Sequence, residues 1–512
     1  MGGFIIAYDL GTGGNKASLY AQDGTCIAST FVPYETLYPK AGWHEQRPLD
    51  WWNAVVESTR RVLADTTIDT RDITCCGISG HSLGAVPVDK NGSLLREGTP
   101  IWSDSRAVDQ ARAFFRKVKE EEWYHTTGNG FPAPLYTIFK IMWYRDHEPE
   151  MFVKLDKVIG TKDYVNYKLT GRLVTDYSYA SGSGVYDLLG WGYSDRLIEA
   201  AGLPRSLFPD IVPSTEVLGE LTAEAAAALG LPKSVNVVAG GVDNSCMALG
   251  ARNIKAGRVY NSLGSSSWIP VCSAKPLLDS RSRPYVFTHV IPGLFTSALS
   301  IFSSGTSFRW VRDQLCQNLV AQAEKQGGDA YDLMTELARQ SPLGANKLLF
   351  NPSLGGGTAL DESMNIRGAF IGLDLGHTQA DVIRAAMEGI SLGLRVALDE
   401  LKKLTPLSDE ILVVGGGSRS KLWLRMYADI YNMDILKTNI DQQAAALGAA
   451  AIAAVGTGLW PDFDLIDDIH QLESVTQPIP QNHEKYEQML PVFRKAGTYQ
   501  AELGDMLAQL DM

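Results

Sequence analysis

Apolar residues come in short, β-branched runs near the start of this chain and in helical periods near its end, and this pattern divides it. Phe4 to Asp9 is an apolar run closing on an acid, as in a buried strand. Gly11-Thr12-Gly13-Gly14 breaks it. Lys16 to Tyr20 and Cys26 to Phe31 are again strand-like, with Gln22-Asp23-Gly24 as the turn between them. The expected element is a three-stranded antiparallel meander whose first turn is rich in glycine.

The same plan returns far along the chain. Val259 to Leu263, Gly264-Ser265-Ser266 and Ser267 to Val271 read as strand, small-residue turn, strand. The likeness is of pattern and not of residue identity, and it predicts two domains of similar fold facing one another across a cleft. A third loop follows Leu412-Val413-Val414, where Gly415-Gly416-Gly417 makes a sharp turn. Ser418 is expected to cap a helix with apolar positions Leu422, Met426 and Ile430. Further back, Ile383, Met387, Ile390, Leu394 and Leu401 form a core-facing helical stripe.

Small residues at turns let backbone N–H groups approach an anion without obstruction. Any one of these loops could equally be a permissive hairpin or a tight strand-to-helix connection; three together point to phosphate. Neither a Walker A sequence nor a Gly-x-Gly-x-x-Gly fingerprint occurs, so the phosphate loops are of another architecture. Val235 to Ala239 runs as a strand into Gly240-Gly241-Val242-Asp243, which presents Asp243 at the tip of a rigid element. A carboxylate there suits a general base; the alternative is an N-cap for the helix that follows. Asp9, at the end of the first strand, suits Mg²⁺ held through water.

Composition narrows the partners. The 512 residues are 45% hydrophobic and 20% charged, with a formal net charge of -12 and no basic run. A chain of this length needs more than one core, and its charge argues against nucleic acid or an anionic membrane as partner. No apolar run reaches the ~18 residues of a membrane span, and the opening reads as a first strand and not as a signal peptide. The six cysteines are scattered among apolar neighbours, as expected of free thiols in a reducing, cytoplasmic setting. The eight histidines show no zinc-ligand spacing.

These loops resemble those of the FGGY carbohydrate kinases, a family within the actin and hexokinase fold superfamily, over nearly the whole chain. Ala7 to Lys16 is similar to the family's first phosphate motif, Ser262 to Ser267 to its second, and Val413 to Ser418 to its adenosine motif. Gly368 to Leu373 with Asp381 to Gly389 resembles the C-terminal signature. The stretch ending Trp143 to Pro149 resembles the N-terminal one, with Leu135 where a smaller or aromatic residue is usual.

The resemblance implies an α/β fold of two ribonuclease H-like (actin-like ATPase) domains, each with a mixed central sheet and with a cleft between them. The expected division is 1–253, 254–480, and a C-terminal helix over 481–512 packing on the body. The implied activity is transfer of the γ-phosphoryl of MgATP to a hydroxyl of a small carbohydrate, with Asp243 as base and Asp9 serving Mg²⁺. Nucleotide contacts are expected from Gly11, Thr12, Gly13, Asn15 and Lys16 on the first loop. Gly264, Ser265, Ser266 and Gly305 belong to the second, and Gly415, Gly416 and Ser420 to the third.

Xylulokinases are the most similar subfamily, through Glu45 to Pro48, Trp51-Trp52 and Lys162-Asp163-Tyr164, which makes a ketopentose such as D-xylulose the expected acceptor. Their sugar loop usually reads Gln-Met-His-Gly, however, and His81-Ser82-Leu83-Gly84 stands here. That departure, with features such as Ile291-Pro292-Gly293 that resemble autoinducer-2 kinase, keeps other polyols, ketoses and aldonates open. A sugar-binding regulator without catalysis is the reading from another class. Expected sugar contacts are His81, Ser82, Trp102, Asp104, Arg106 and Asp243, a mixture of hydroxyl partners and an apolar face. Trp102 as plain core and His81 as a structural histidine are the alternatives. A homodimer is compatible with this reading.

Overall fold

The computed structural model describes residues 3–130, 132–264, 266–301 and 303–510. The first half opens with β1 (Phe4–Gly11), β2 (Gly14–Ala21) and β3 (Cys26–Pro33), followed by α1 (Pro48–Ala64) and β4 (Ile73–Gly80). Helices α2 (Thr137–His147) and α3 (Thr161–Thr170) precede β5 (Val217–Glu220), β6 (Asn236–Val238) and β7 (Gly241–Val242), and α4 (Asp243–Gly250) closes the half.

In the second half β8 (Tyr260–Leu263), β9 (Ser267–Ser273), β10 (Tyr285–Thr288) and β11 (Phe295–Ile301) lead into α5 (Gly305–Leu315) and α6 (Ala330–Ala338). Then come α7 (Gln379–Leu404), β12 (Glu410–Gly415), α8 (Lys421–Tyr431), β13 (Asp434–Thr438), α9 (Ala444–Gly456), β14 (Leu472–Thr476) and α10 (Pro480–Ala508).

The two sheets have one design. The first runs β5-β6-β4-β1-β2-β3, and the second runs β14-β13-β12-β8-β9-β11 with β10 added at the edge. In each, the opening strand pairs antiparallel with the next in sequence and parallel with a later one, β1 with β4 and β8 with β12. The expected three-stranded meander and the expected repeat of its plan are both present. Both sheets are mixed, and the parallel strands are the inner ones, covered on both faces as such strands need to be.

The halves meet through α9. Its sequence is apolar all round, so it has no face for water, and it packs against α4, β1 and β4 of the first half. Contact with α4 is at backbone range: a Cβ on Gly250 would lie 1.8 Å from the Ala444 carbonyl oxygen, and one on Gly448 1.9 Å from that of Cys246. Polar ties join the same seam, where Trp460 Nε1 donates to the Gln22 carbonyl at 2.6 Å and Ser245 Oγ to that of Thr288 at 3.1 Å. The helical stripe of α7 is fully buried at Ile383, Met387, Ile390, Leu394 and Leu401. Five of the six free cysteines are buried and Cys26 is half-buried.

Gly448→Val is expected to force α4 and α9 apart, at the roughly 1–3 kcal/mol or more of an overpacked core. The measurement is the midpoint of chemical unfolding, which should fall relative to the parent.

Candidate functional site

The site forms where parallel strands end. Asp9 on β1 stands opposite Ser79 on β4, and Ser79 stands opposite Gly241 on β7, so three strand ends lie in one register. Beyond their carboxyl ends is the usual place for a ligand in such sheets. Ser79 Oγ donates to Asp9 Oδ1 at 3.0 Å. Asp243 follows two residues after Gly241 as the first residue of α4, half-buried.

Asp243 does not cap α4. Val242 holds the cap position, and among the described residues the Asp243 carboxylate accepts from the adjacent Asn244 N–H, at 2.8 Å. Burial, and then the negative charge of Asp9, push its pKa up to about 7, although the Asn244 N–H works against them. Burial likewise raises Asp9, opposed by the Ser79 hydroxyl and the Lys16 ammonium. The charge of Asp9 thus reaches Asp243, so the two carboxylates lie near one another, an arrangement of the kind that suits proton transfer.

A buried ionic network fixes the turn that carries Asp243. Lys162, with no exposure, donates to Asp163 at 2.6 Å, pairs with Asp176 at 2.9 Å and reaches the Ala239 carbonyl at 3.3 Å. Asp176 in turn accepts from Ser178 and Ser214, and Ser178 Oγ accepts from the Val242 N–H at 2.9 Å. The Gly240 N–H bonds the Ser214 carbonyl. Both sides of the turn are therefore held by one cluster. Gly240 has φ +72°, and a Cβ there would sit 2.1 Å from the Ile78 carbonyl oxygen, so only glycine fits.

The first loop is a tight hairpin with Thr12 and Gly13 at its tip. Trp102 Nε1 donates to Thr12 Oγ1 at 2.9 Å and Gln46 Nε2 to the Thr12 carbonyl at 2.7 Å. Because an indole N–H can only donate, Thr12 must accept from it, which leaves its own hydroxyl proton for the cleft. Lys16 lies beside Asp9 and bridges the halves through Nζ to the Gln442 carbonyl, 3.1 Å. Asn15 does not join it. Neighbouring strand residues point to opposite faces, and Asn15 is fully buried toward α1, donating to Ser58 Oγ at 2.8 Å.

The other two loops line a cleft of about 680 Å³ in the second half, together with Gly264, Gly305, Gly416, Gly417 and Ser420. Ser265 lies outside the described residues, and Ser266 is exposed beside Gly264. Gly13, Gly264 and Gly416 share a property: an added Cβ would meet nothing, or nothing nearer than 3.5 Å, and none has positive φ. Neither backbone strain nor packing calls for glycine there, whereas a ligand lying against the main chain does. Gly415 is different. It has φ +90°, and its Cβ would lie 2.5 Å from the Leu263 carbonyl oxygen, so it serves the close pairing of β12 with β8. Ser418, expected to cap the following helix, is buried and donates to the Gly415 carbonyl; Ser420 is the cap, accepting from the Trp423 N–H.

The expected sugar contacts separate into two layers. Trp102 is 42% exposed, and Ser82 and Leu83 are half-buried on the loop after β4. Leu83 has φ +59°, a strained conformation for a branched side chain, of the kind that gathers at functional sites. His81, by contrast, is 1% exposed; it packs edge-on against Trp51 and bonds Thr161 Oγ1 through Nδ1 at 3.1 Å. Burial and the nearby Lys140 lower its pKa to about 3, so it is neutral.

Asp104 and Arg106 are buried in the same way. Both side chains are wholly buried, bonded to each other at 2.7 Å, with Arg106 also on Glu45 and over the Trp43 ring. They stiffen the loop beneath Trp102 instead of facing the cleft.

Two features went unread in the sequence. Lys140, buried in α2, donates to the carbonyls of Leu83 at 2.9 Å and Ile101 at 2.6 Å, clamping the loops that carry Ser82 and Trp102. Burial lowers its pKa to about 7. A lysine inside Ile138-Phe139-Lys140-Ile141 was the available signal, since lysine is almost never fully buried without a partner. The stacked rings of Phe308 and Tyr331, 5.6 Å apart, form an apolar wall of the 680 Å³ cleft. Tyr331 comes from α6, which matched no motif.

Lys162→Met leaves Asp163 and Asp176 buried without their cation. The expected loss is about 3–5 kcal/mol of stability, read as a large drop in the unfolding midpoint.

Comparison with known proteins bears on this arrangement directly. The xylulose kinase of Bacillus subtilis (strain 168) is 29% identical over 98% of both chains. The gluconokinase of the same organism is 27% identical over 96% of this chain and 95% of its own. The crystal structure of xylulose kinase from Rhodospirillum rubrum superposes with a TM-score of 0.89 at 28% identity, covering 98% of this chain and all of that one. Residues 4–250 match the model of the N-terminal domain of the FGGY family of carbohydrate kinases and residues 259–457 that of its C-terminal domain. With both domain models matched in order, and with paired sheets that superpose on a solved xylulose kinase, the chain belongs to the FGGY family of carbohydrate kinases.

Proposed function

We propose that this kinase transfers the γ-phosphoryl group of MgATP to a hydroxyl of D-xylulose or a closely related ketopentose. The observation that carries the mechanism is the Asp243 carboxylate, held by the Lys162 network at a strand end beside Asp9. The acceptor hydroxyl oxygen attacks the γ-phosphorus as its proton passes to Asp243; the bond to the bridging oxygen breaks and ADP leaves. The ATP phosphates span the Thr12–Gly13 and Gly264 turns, and the base of the nucleotide enters the 680 Å³ cleft beside Phe308 and Tyr331.

Asp9 fits Mg²⁺, which favours one or two carboxylates plus water and substrate phosphate. The described residues contain no cluster of three or more His, Cys, Asp or Glu, so an ion held by Asp9 would take the rest of its ligands from phosphate and water. When bound, the ion neutralises charge on the phosphates.

The ketopentose assignment is supported by the names of relatives and by the exposed Trp102 indole on a loop that Lys140 ties to the loop of Ser82 and Leu83. A gluconokinase among the relatives favours an aldonate as the second acceptor to try. No helix of the described residues is long and apolar enough to cross a membrane, and a cytoplasmic site of action is part of the proposal.

Asp243→Ala should lower sugar-dependent ADP formation by about 10²–10⁴ while ADP still binds, since a positioned base supplies that much. A fall of less than tenfold excludes Asp243 as the base. Lys140→Met should raise the KM for sugar, because it frees the loops that carry Ser82 and Trp102, with a smaller rise in the KM for ATP through the Trp102–Thr12 bond. Comparing kcat/KM for D-xylulose and gluconate decides the substrate class.

A further inference from the structure

Two glycines inside helices have no local reason to be glycine. Gly393 sits in the middle of α7 and Gly497 in the middle of α10, where glycine weakens a helix relative to alanine. Neither has a positive φ. A Cβ on Gly393 would lie 3.6 Å from Ile301, an ordinary contact, and one on Gly497 would meet nothing within 4 Å. Other glycines of the same helices differ. A Cβ on Gly389 would sit 2.0 Å from the Phe350 carbonyl oxygen, and one on Gly504 2.3 Å from that of Asn365, so packing requires those two and leaves the first pair unexplained.

Both unexplained glycines line one cavity. It holds about 310 Å³ in the second half, between α7, α10 and the loop from Asn351 to Glu362, and shares no lining residue with the nucleotide cleft. That volume is at the small end of ligand pockets, which run from roughly 300 to 1,000 Å³. Ile301, Val396 and Phe493 give the cavity an apolar side, and Ser303, Ser353 and Thr358 bring hydroxyls. Its charges are already matched within the protein. Arg281 pairs with Glu400 and Arg494 with Asp399, while Glu362 accepts from Thr498 and Asp361 from the Thr358 N–H. The lining sets three carboxylates, Asp361, Glu362 and Glu400, against two guanidiniums, so it offers no net attraction to a phosphate or a carboxylate. A neutral molecule with many hydroxyls and a C–H face suits both sides.

One short segment joins this cavity to the nucleotide site. Ser303 Oγ accepts from the Gly355 N–H at 2.8 Å and Ser307 Oγ donates to the Pro352 carbonyl at 2.7 Å, which ties the cavity's loop to the start of α5. The residues between them hold the second small-residue turn: Ser304 Oγ and the Gly305 N–H both donate to the Gly264 carbonyl, at 3.3 and 3.1 Å. Gly305 and Phe308 also line the nucleotide cleft. We propose that the cavity is an effector site for a neutral, polyhydroxylated small molecule of monosaccharide size, and that its occupancy changes the affinity for nucleotide. The proposal does not depend on which acceptor the kinase phosphorylates.

Calorimetric titration of ADP into the full chain tests it, with and without D-xylose, D-glucose, xylitol or glycerol at millimolar concentration. The readout is nucleotide binding, so a mistaken acceptor leaves the test intact. At least one of the four should change the dissociation constant for ADP about fivefold or more. Gly497→Leu fills the cavity and should abolish that change, while ADP affinity without sugar stays as in the parent. Gly393→Ala combined with Gly497→Ala is a milder filling, clear of neighbouring atoms by 3.6 Å or more, and should weaken the same effect. Its melting temperature should rise, as expected where helical glycine is not needed. An effect that survives both variants comes from the acceptor pocket and overturns the proposal, as does a parent that responds to none of the four. A response to inorganic phosphate or D-xylose 5-phosphate that Gly497→Leu removes, with no response to the neutral compounds, overturns the chemistry assigned to the site.

Discussion

One buried lysine between two aspartates sets the geometry on which the rest of the site depends. Lys162 holds Asp163 and Asp176 in a place without water, and its own pKa stays high there, against the pull of burial, because both carboxylates face it. Ionic clusters of this kind are weak evidence for stability, since desolvation offsets most of the attraction. Their stronger effect is to make one arrangement far better than any other. Here that arrangement fixes Ala239 and Val242 on either side of the Gly240 turn, and Asp243 has no freedom to leave the strand end. A carboxylate that cannot relax toward water keeps a raised pKa, which is the condition for accepting a proton near neutrality.

The repeated sheet supplies the partner surface. Two copies of one mixed sheet are joined at backbone range by α4 and α9, and Lys16 on β2 reaches across to the carbonyl of Gln442, a residue that lines the second half's cleft. The glycines of these loops divide by physical cause. Gly240 and Gly415 are dictated by positive φ and by contact with a neighbouring strand. Gly13, Gly264 and Gly416 are dictated by neither, and open backbone is what a phosphate chain requires. In the proposed site the phosphates meet main chain, so a chain of net charge -12 would need no basic patch to hold them.

Much of this was legible beforehand, because it is local. The meanders, the three small-residue loops, the α7 stripe and the strand leading to Asp243 follow from period and turn chemistry over a few residues at a time. What was not legible depends on facing. Asn15 and Lys16 are adjacent in sequence, and only pairing in the sheet decides which of them meets the cleft. His81, Asp104 and Arg106 have the chemistry of sugar contacts but lie one layer beneath the surface, where Thr161 bonds His81 and Glu45 and Asp104 bond Arg106, while His81 Nε2 and one Arg106 guanidinium nitrogen have no partner among the described residues. Lys140 showed the reverse, a charge in an apolar run whose partners are carbonyls from loops more than thirty residues away. Ser418 and Ser420 are equally good caps by composition; the short turn over Gly416–Arg419 decides between them. The apolar helix α9 announced burial, but not that it would bury itself against the other half's sheet.

Burial and the charge of Asp9 are expected to make Asp243 titrate near neutrality. The active form of a base is the deprotonated one, so the pH dependence of kcat/KM for the sugar measures it directly. The expected profile climbs about tenfold per pH unit below about 7 and levels off above it, with the limb absent from the residual activity of the alanine variant. A profile flat from pH 5 to 8, or a limb near the ordinary carboxylate value of about 4, would mean that Asp243 is neither desolvated nor paired with Asp9 as described.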